Sequence, residues 1–99
     1  IFEARDPRMD LGRRLVSLKG EEIALTPTEY DLLRVLVQHA GKVLTHGQLL
    51  RQVWGTGYES EIHLLQVNVS NLRRKIEPDP SRPSYILTEI GVGYRLRSE

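Results

Sequence analysis

The chain has 99 residues, no Cys, and 14 basic against 13 acidic side chains, for a formal net charge of +1. That length supports one domain with a modest core. The missing Cys excludes disulfides and thiolate metal sites and fits a reducing cytosol. No apolar run approaches membrane-spanning length, and the N-terminus is no signal peptide. A charge so near balance means that any case for nucleic acid must rest on a local patch.

The chain opens Ile1-Phe2-Glu3 without Met, which reads as a piece cut from a longer protein. Residues 1–25 read as three or four short antiparallel strands with one wet face. Their apolar runs are Leu15, Val16, Leu18 and then Ile23, Leu25, punctuated at Gly12 and at Lys19-Gly20. Arg13 and Arg14 are expected at a solvated turn. Thr26-Pro27-Thr28-Glu29 is a capping box, with Pro27 where a missing N–H costs nothing. Tyr30, Leu33, Leu36, Val37 and Ala40 recur at helical spacing behind it, and Gly41 closes the helix. The box gives Glu29 a structural role, not a catalytic one.

Lys42-Val43-Leu44 reads as an extended link. Thr45-x-x-Gln48 is a second capping box, starting a short helix with an apolar side of Leu49, Leu50, Val53 and Trp54 that stops at Gly55. The Trp54 N–H needs a partner, which a phosphate could supply; packing alone also accounts for the residue. The loop 55–60 (G-T-G-Y-E-S) carries an exposed Tyr58 and an acid, suited to a partner contact or to a plain connection.

Residues 60–77 then have the composition of one helix, with no Gly or Pro inside and Pro78 beyond the end. Ile62, Leu65, Val69, Leu72 and Ile76 form an apolar stripe facing a core. His63, Val67, Ser70, Asn71 and Arg74 lie opposite, with Leu64 at the border. Between Ile62 and Ile76 stand three basic residues and no acid. Amides, hydroxyls and guanidinium groups suit base edges, small apolar groups suit thymine methyls, and cations suit phosphates. An ordinary amphipathic helix whose Leu64 and Val67 touch a loop would look the same, and the helix alone does not separate the two.

After the turn P-D-P-S-R-P, Tyr85–Ile90 and Tyr94–Arg97 read as two strands joined by Gly91-Val92-Gly93. Sheet, three helices and hairpin in that order predict an α+β fold: a winged helix-turn-helix with an N-terminal antiparallel sheet, a three-helix core and a C-terminal β-hairpin wing. Thr88, Gly91, Tyr94, Arg95 and Arg97 are wing candidates for a minor groove or its phosphates, against the alternative of a merely solvated hairpin. An enzyme is disfavoured. The three His lie on different elements, no nucleophile constellation or phosphate loop appears, and Glu59 with His63 lacks a third metal ligand. No metal or cofactor is expected. The rival to DNA binding is a winged-helix protein-interaction module, whose surface would tolerate acids where residues 63–74 have none.

Five motifs in order carry a family resemblance: L-T-P-T-E-Y-x-L-L at 25–33, G-K-V-L-T-x-x-Q-L-L at 41–50, V-W-G at 53–55, V-x-V-x-x-L-R-R-K-I-E at 67–77 and T-E-I-G-V-G-Y-R at 88–95. They resemble the effector domain of OmpR/PhoB-type response regulators, and R-Q-V-W-G with I-G-V-G-Y-R is similar to the potassium-responsive Kdp branch. The resemblance implies that residues 1–99 are the DNA-binding effector domain of a cytoplasmic bacterial two-component regulator. A phosphorylated receiver domain would lie upstream, and receiver-driven dimers would bind tandem direct repeats. Carried over by position, His63, Val67, Asn68, Ser70 and Asn71 would read the major groove, with Leu64 beside them. Arg73 and Arg74 would reach phosphates or bases, Trp54 and Thr88 would touch the backbone, and Gly91 and Tyr94 would serve the wing. The loop of Thr56, Tyr58 and Glu59 would meet RNA polymerase. The chain departs from the family where many members have Asp at Gln66, His at Asn68 and Arg at Ser70 or Asn71, and where several have Arg at Ile90. Those missing cations imply a different target sequence and weaker binding by the isolated domain.

Overall fold

The structure, a computed structural model, describes residues 2–3 and 8–98. The rest of the predicted N-terminal strand region, at 1 and 4–7, lies outside the described residues. Strands β1 (Phe2–Glu3), β2 (Arg8–Asp10), β3 (Leu15–Leu18) and β4 (Glu21–Ile23) form an antiparallel sheet in sequential order. Its register places Met9 opposite Val16 and Val16 opposite Ile23. That column supplies the apolar side, with Met9 and Val16 buried in the common core. Arg14, at φ 53°, is more than a turn residue. Its guanidinium lies 4.1 Å from the centre of the Tyr30 ring and 3.5 Å from Asp31.

Helix α1 (Pro27–Gln38) begins with the predicted capping box: Thr26 Oγ1 accepts from the Glu29 N–H, and Glu29 Oε1 accepts from the Thr26 N–H. It ends earlier than predicted, with His39 as C-cap, while Gly41 takes up φ 86° two residues later. The expected link is a strand: β5 (Val43–Thr45) pairs antiparallel with the last strand of the chain. Local sequence could not reveal this, since the partner lies at Gly93–Arg95. Helix α2 (His46–Val53) starts with the second capping box, Thr45 with Gln48.

Helix α3 runs Ile62–Ile76, shorter at its start than residue 60. Leu65, Val69, Leu72 and Ile76 are buried as the stripe predicts, but Ile62 is 40% exposed. It occupies the first helical position, where the chain has just left the loop. Strand β6 (Ile86–Glu89) is shorter than predicted, β7 (Gly93–Leu96) is shifted one residue toward the turn, and that turn is Ile90-Gly91-Val92. The second sheet therefore has the order β5-β7-β6. Gly93 is required there: a Cβ would lie 1.8 Å from the Leu44 carbonyl oxygen. No helix among the described residues is long and apolar enough to cross a membrane.

Candidate nucleic-acid interface

The three helices pack so that α3 presents one side to solvent. His63, Gln66, Val67, Ser70, Asn71 and Arg74 line a shallow concavity along it. Gln66 belongs to this surface although the sequence reading left it out. Its spacing of four from Ser70 was the available signal. Val67 is 41% exposed, an apolar group held outside the core. No carboxylate lies between Ile62 and Ile76. Arg73, Arg74 and Lys75 occupy the last turn, where the helix carbonyls favour cations.

The side chains of this helix divide by what they touch. Asn68 is half-buried, and its Nδ2 donates to the Leu64 carbonyl at 3.0 Å, so that end of the amide is engaged within the helix. Arg74 is exposed and donates to Asn71 Oδ1 and, at 3.4 Å, to Ser70 Oγ. No carboxylate pairs with Arg74 among the described residues. Lys75 turns the other way and meets buried Glu29 on α1 at 2.6 Å.

Arg73 does not face outward with Arg74. It is half-buried, donates from Nη2 to the Ile86 carbonyl at 2.6 Å and to Thr88 Oγ1 at 2.8 Å, and from Nε to Ile86 at 3.2 Å. Its guanidinium carbon sits 5.5 Å from the centre of the Tyr94 ring. Burial lowers its pKa, against the raising influence of Tyr94 and Glu77, but guanidinium stays charged at any working pH. Arg73 is thus a strut between α3 and the wing. Tyr94, predicted among the DNA-facing residues, is 6% exposed and makes an edge contact with His46 at the start of α2. Burial raises its pKa, with Arg73 pulling the other way. Its ring seats the wing instead of offering a surface, because the β7 pleat turns it inward at the register position opposite Thr88.

The wing is held from behind as well. Buried Glu77 accepts from the backbone N–H groups of Ser84, Tyr85 and Ile86 at 2.7–3.1 Å. This clamp, which the sequence reading missed, sets where the strand after the Pro-rich turn begins. Thr88 is exposed; its oxygen accepts from Arg73, so its proton remains to donate. At the tip, Gly91 has φ 77° and Ile90 is 92% exposed. Arg95 pairs with Glu89 at 3.0 Å, and Arg97 is exposed.

Trp54 caps the end of α2, half-buried against the core, and its indole N–H has no hydrogen-bond partner among the described residues. In the loop beyond it, Thr56 is exposed and Tyr58 is 44% exposed. Glu59 Oε1 accepts from the Gly57 N–H at 2.9 Å, so this acid also shapes its own loop. Leu64 is half-buried at the border of the concavity.

A helix-turn-helix with an acid-free outer face on its second helix, and a hairpin bonded to that helix, defines a winged-helix DNA-binding domain. Residues 20–96 match the family described as transcriptional regulatory protein, C terminal, and the chain belongs to it as an OmpR/PhoB-type effector domain, a transcription-factor class and not an enzyme. The KDP operon transcriptional regulatory protein KdpE of Escherichia coli (strain K12) is 48% identical over 96 residues, covering 97% of this chain and 43% of that protein. The chain therefore spans less than half the length of this relative. The response regulator DrrB of Thermotoga maritima, an OmpR/PhoB homologue, superposes with a TM-score of 0.90 at 34% identity, over 98% of this chain and 44% of that one. The DNA-binding domain of Klebsiella pneumoniae RstA, solved in complex with the RstA box, gives 0.88 at 29% identity, over 97% and 95%.

Proposed function

We propose that this domain binds duplex DNA by laying the outer face of α3 in the major groove, with the wing along the neighbouring backbone. The observation that carries this reading is the acid-free concavity of His63, Gln66, Val67, Ser70, Asn71 and Arg74. Hydroxyl, amide and guanidinium groups there match base edges, and exposed Val67 matches a thymine methyl. Leu64 and Asn68 border it. The Trp54 N–H and the Thr88 hydroxyl supply neutral donors to phosphates, and Gly91 lets the tip approach closely. That the similar RstA domain was solved in complex with its box supports DNA as the partner.

In the full-length protein, a receiver domain upstream would take phosphate from a sensor kinase in the cytoplasm. Two effector domains would then be tethered on tandem direct repeats. One module of this kind covers only about 600–1,000 Å² of protein surface on DNA, so a lone half-site is held weakly, and tethering at roughly millimolar effective concentration gains about 10²–10⁴-fold. The loop of Thr56, Tyr58 and Glu59 would face RNA polymerase. Titration of the domain with a labelled random-sequence duplex at low salt tests the core of this reading. Binding that weakens with salt and is abolished by Val67→Glu, with an unchanged circular-dichroism melt, is the expected result. Equal affinity of Val67→Glu and the parent would place the interface elsewhere.

A further inference from the structure

Asn71 looks in sequence like an adenine reader, because an amide offers one donor and one acceptor side by side. The structure changes what it offers. Its oxygen faces Arg74, and it must be the oxygen, since a guanidinium has only donors. Arg74 is steadied there by Ser70, from which it is 3.4 Å away. Adenine would have to direct its N6–H donor at an amide oxygen already engaged and flanked by a cation. What remains outward from the pair is the Asn71 Nδ2 and the unused N–H groups of Arg74, all donors.

We infer that Asn71 and Arg74 act as one donor-only reading unit whose partner base is guanine. Guanine is the base that shows two adjacent acceptors, N7 and O6, and no donor on its major-groove edge. Thymine offers one acceptor beside a methyl; cytosine and adenine each present a donor. Ser70 positions Arg74, so specificity at this base pair arises from three residues within one turn of helix. No carboxylate stands between Ile62 and Ile76, and none among the described residues pairs with Arg74, so the pair's charge can act on an acceptor. This inference rests on the major-groove placement of α3.

Selection from a duplex pool randomised across one half-site tests it, using the parent domain, Asn71→Ala, Arg74→Ala and the double variant. The parent should enrich one guanine position with a preference of roughly five- to 150-fold, the range of one good bidentate pair. Each single variant should lose that preference, and the double variant should lose no more than either. Adenine at the Asn71-dependent position, unaffected by Arg74→Ala, would overturn the inference while leaving the groove placement intact. Guanine kept in Asn71→Ala but lost in Arg74→Ala would also overturn it, because Arg74 would then read alone. A pool with no enriched sequence would remove the groove placement and the inference together.

Discussion

The two sheets of this domain are attached to the helices in different ways. The N-terminal sheet leans on α1. It gives one apolar column to the core, and Arg14 fastens it through Tyr30 and Asp31. The C-terminal sheet is woven into the helices. Its strand β5 comes from between α1 and α2, and its edges are bonded by Gly41 N–H to the Leu96 carbonyl and by His46 N–H to the Val92 carbonyl. Arg73 and Glu77 then bind it to α3 by side chains. An apolar face tolerates sliding, whereas several directional bonds fix position and angle. The sheet that carries the wing is therefore held in register with the reading helix, and the other sheet is a support.

Substitutions test this difference. The largest effect is expected for Gly93→Ala, whose methyl would collide with backbone that has no room to give. It should cost about 3 kcal/mol or more in urea denaturation. By contrast, Gly12→Ala, in the turn between β2 and β3 of the first sheet, meets nothing closer than Asp10 Oδ1 at 3.6 Å and should change stability by less than about 0.5 kcal/mol. Similar costs at the two sites would break the comparison.

Next in size is Arg73→Ala, which leaves the Ile86 carbonyl and the Thr88 hydroxyl without their donor. A loss of about 1–3 kcal/mol in folding stability is expected. DNA affinity should fall on all sequences alike, because the wing loosens while the base-reading groups stay. Its neighbour makes the contrast: Arg74→Ala should leave stability within about 0.5 kcal/mol and weaken binding at one base position of the specific site, with little loss on random DNA. Equal melting temperatures for the two variants would show that Arg73 is no strut.

Glu29 stands buried in the first turn of α1, bonded to Thr26 and to Lys75 of α3. Burial raises its carboxyl pKa, but the Lys75 ammonium and Thr26 outweigh that and hold it below the usual range. A folded pKa below the unfolded one gives stability that is present above the unfolded value, about 4.3, and is lost as pH falls through the folded value. Glu29→Gln should cost about 1 kcal/mol at neutral pH. Its urea midpoint should also drop less than the parent's on going to acid. Parallel acid profiles for the two proteins would remove Glu29 from the account. Arg14→Ala should cost about 0.5–1 kcal/mol, from one exposed cation–π contact, with DNA affinity unchanged.

Much of the scaffold was legible in the chain because it depends on residues three or four apart. Both capping boxes and the buried positions Leu65, Val69, Leu72 and Ile76 were readable from spacing. Order of elements made the winged helix legible, and five ordered motifs made the family legible. Ile62 misled because periodicity does not show which end of a stripe is covered. Tyr94 misled because an alternating hairpin does not say which of its faces is covered.

Spacing along the chain determined which residues share a helix face and where helices start, since those forces act within a turn. Tertiary packing decided what the sequence held open over longer separations: that residues 43–45 pair with the final strand, and that Lys75 serves Glu29 at a distance of 46 residues. Arg73 and Arg74 put the division most sharply. They are the same residue type at adjacent positions, and nothing in the chain ranks them. About 100° of helical rotation separates them. Only the docked hairpin, with its carbonyl at Ile86 and hydroxyl at Thr88, turns the first into a strut and leaves the second on the exposed face of α3.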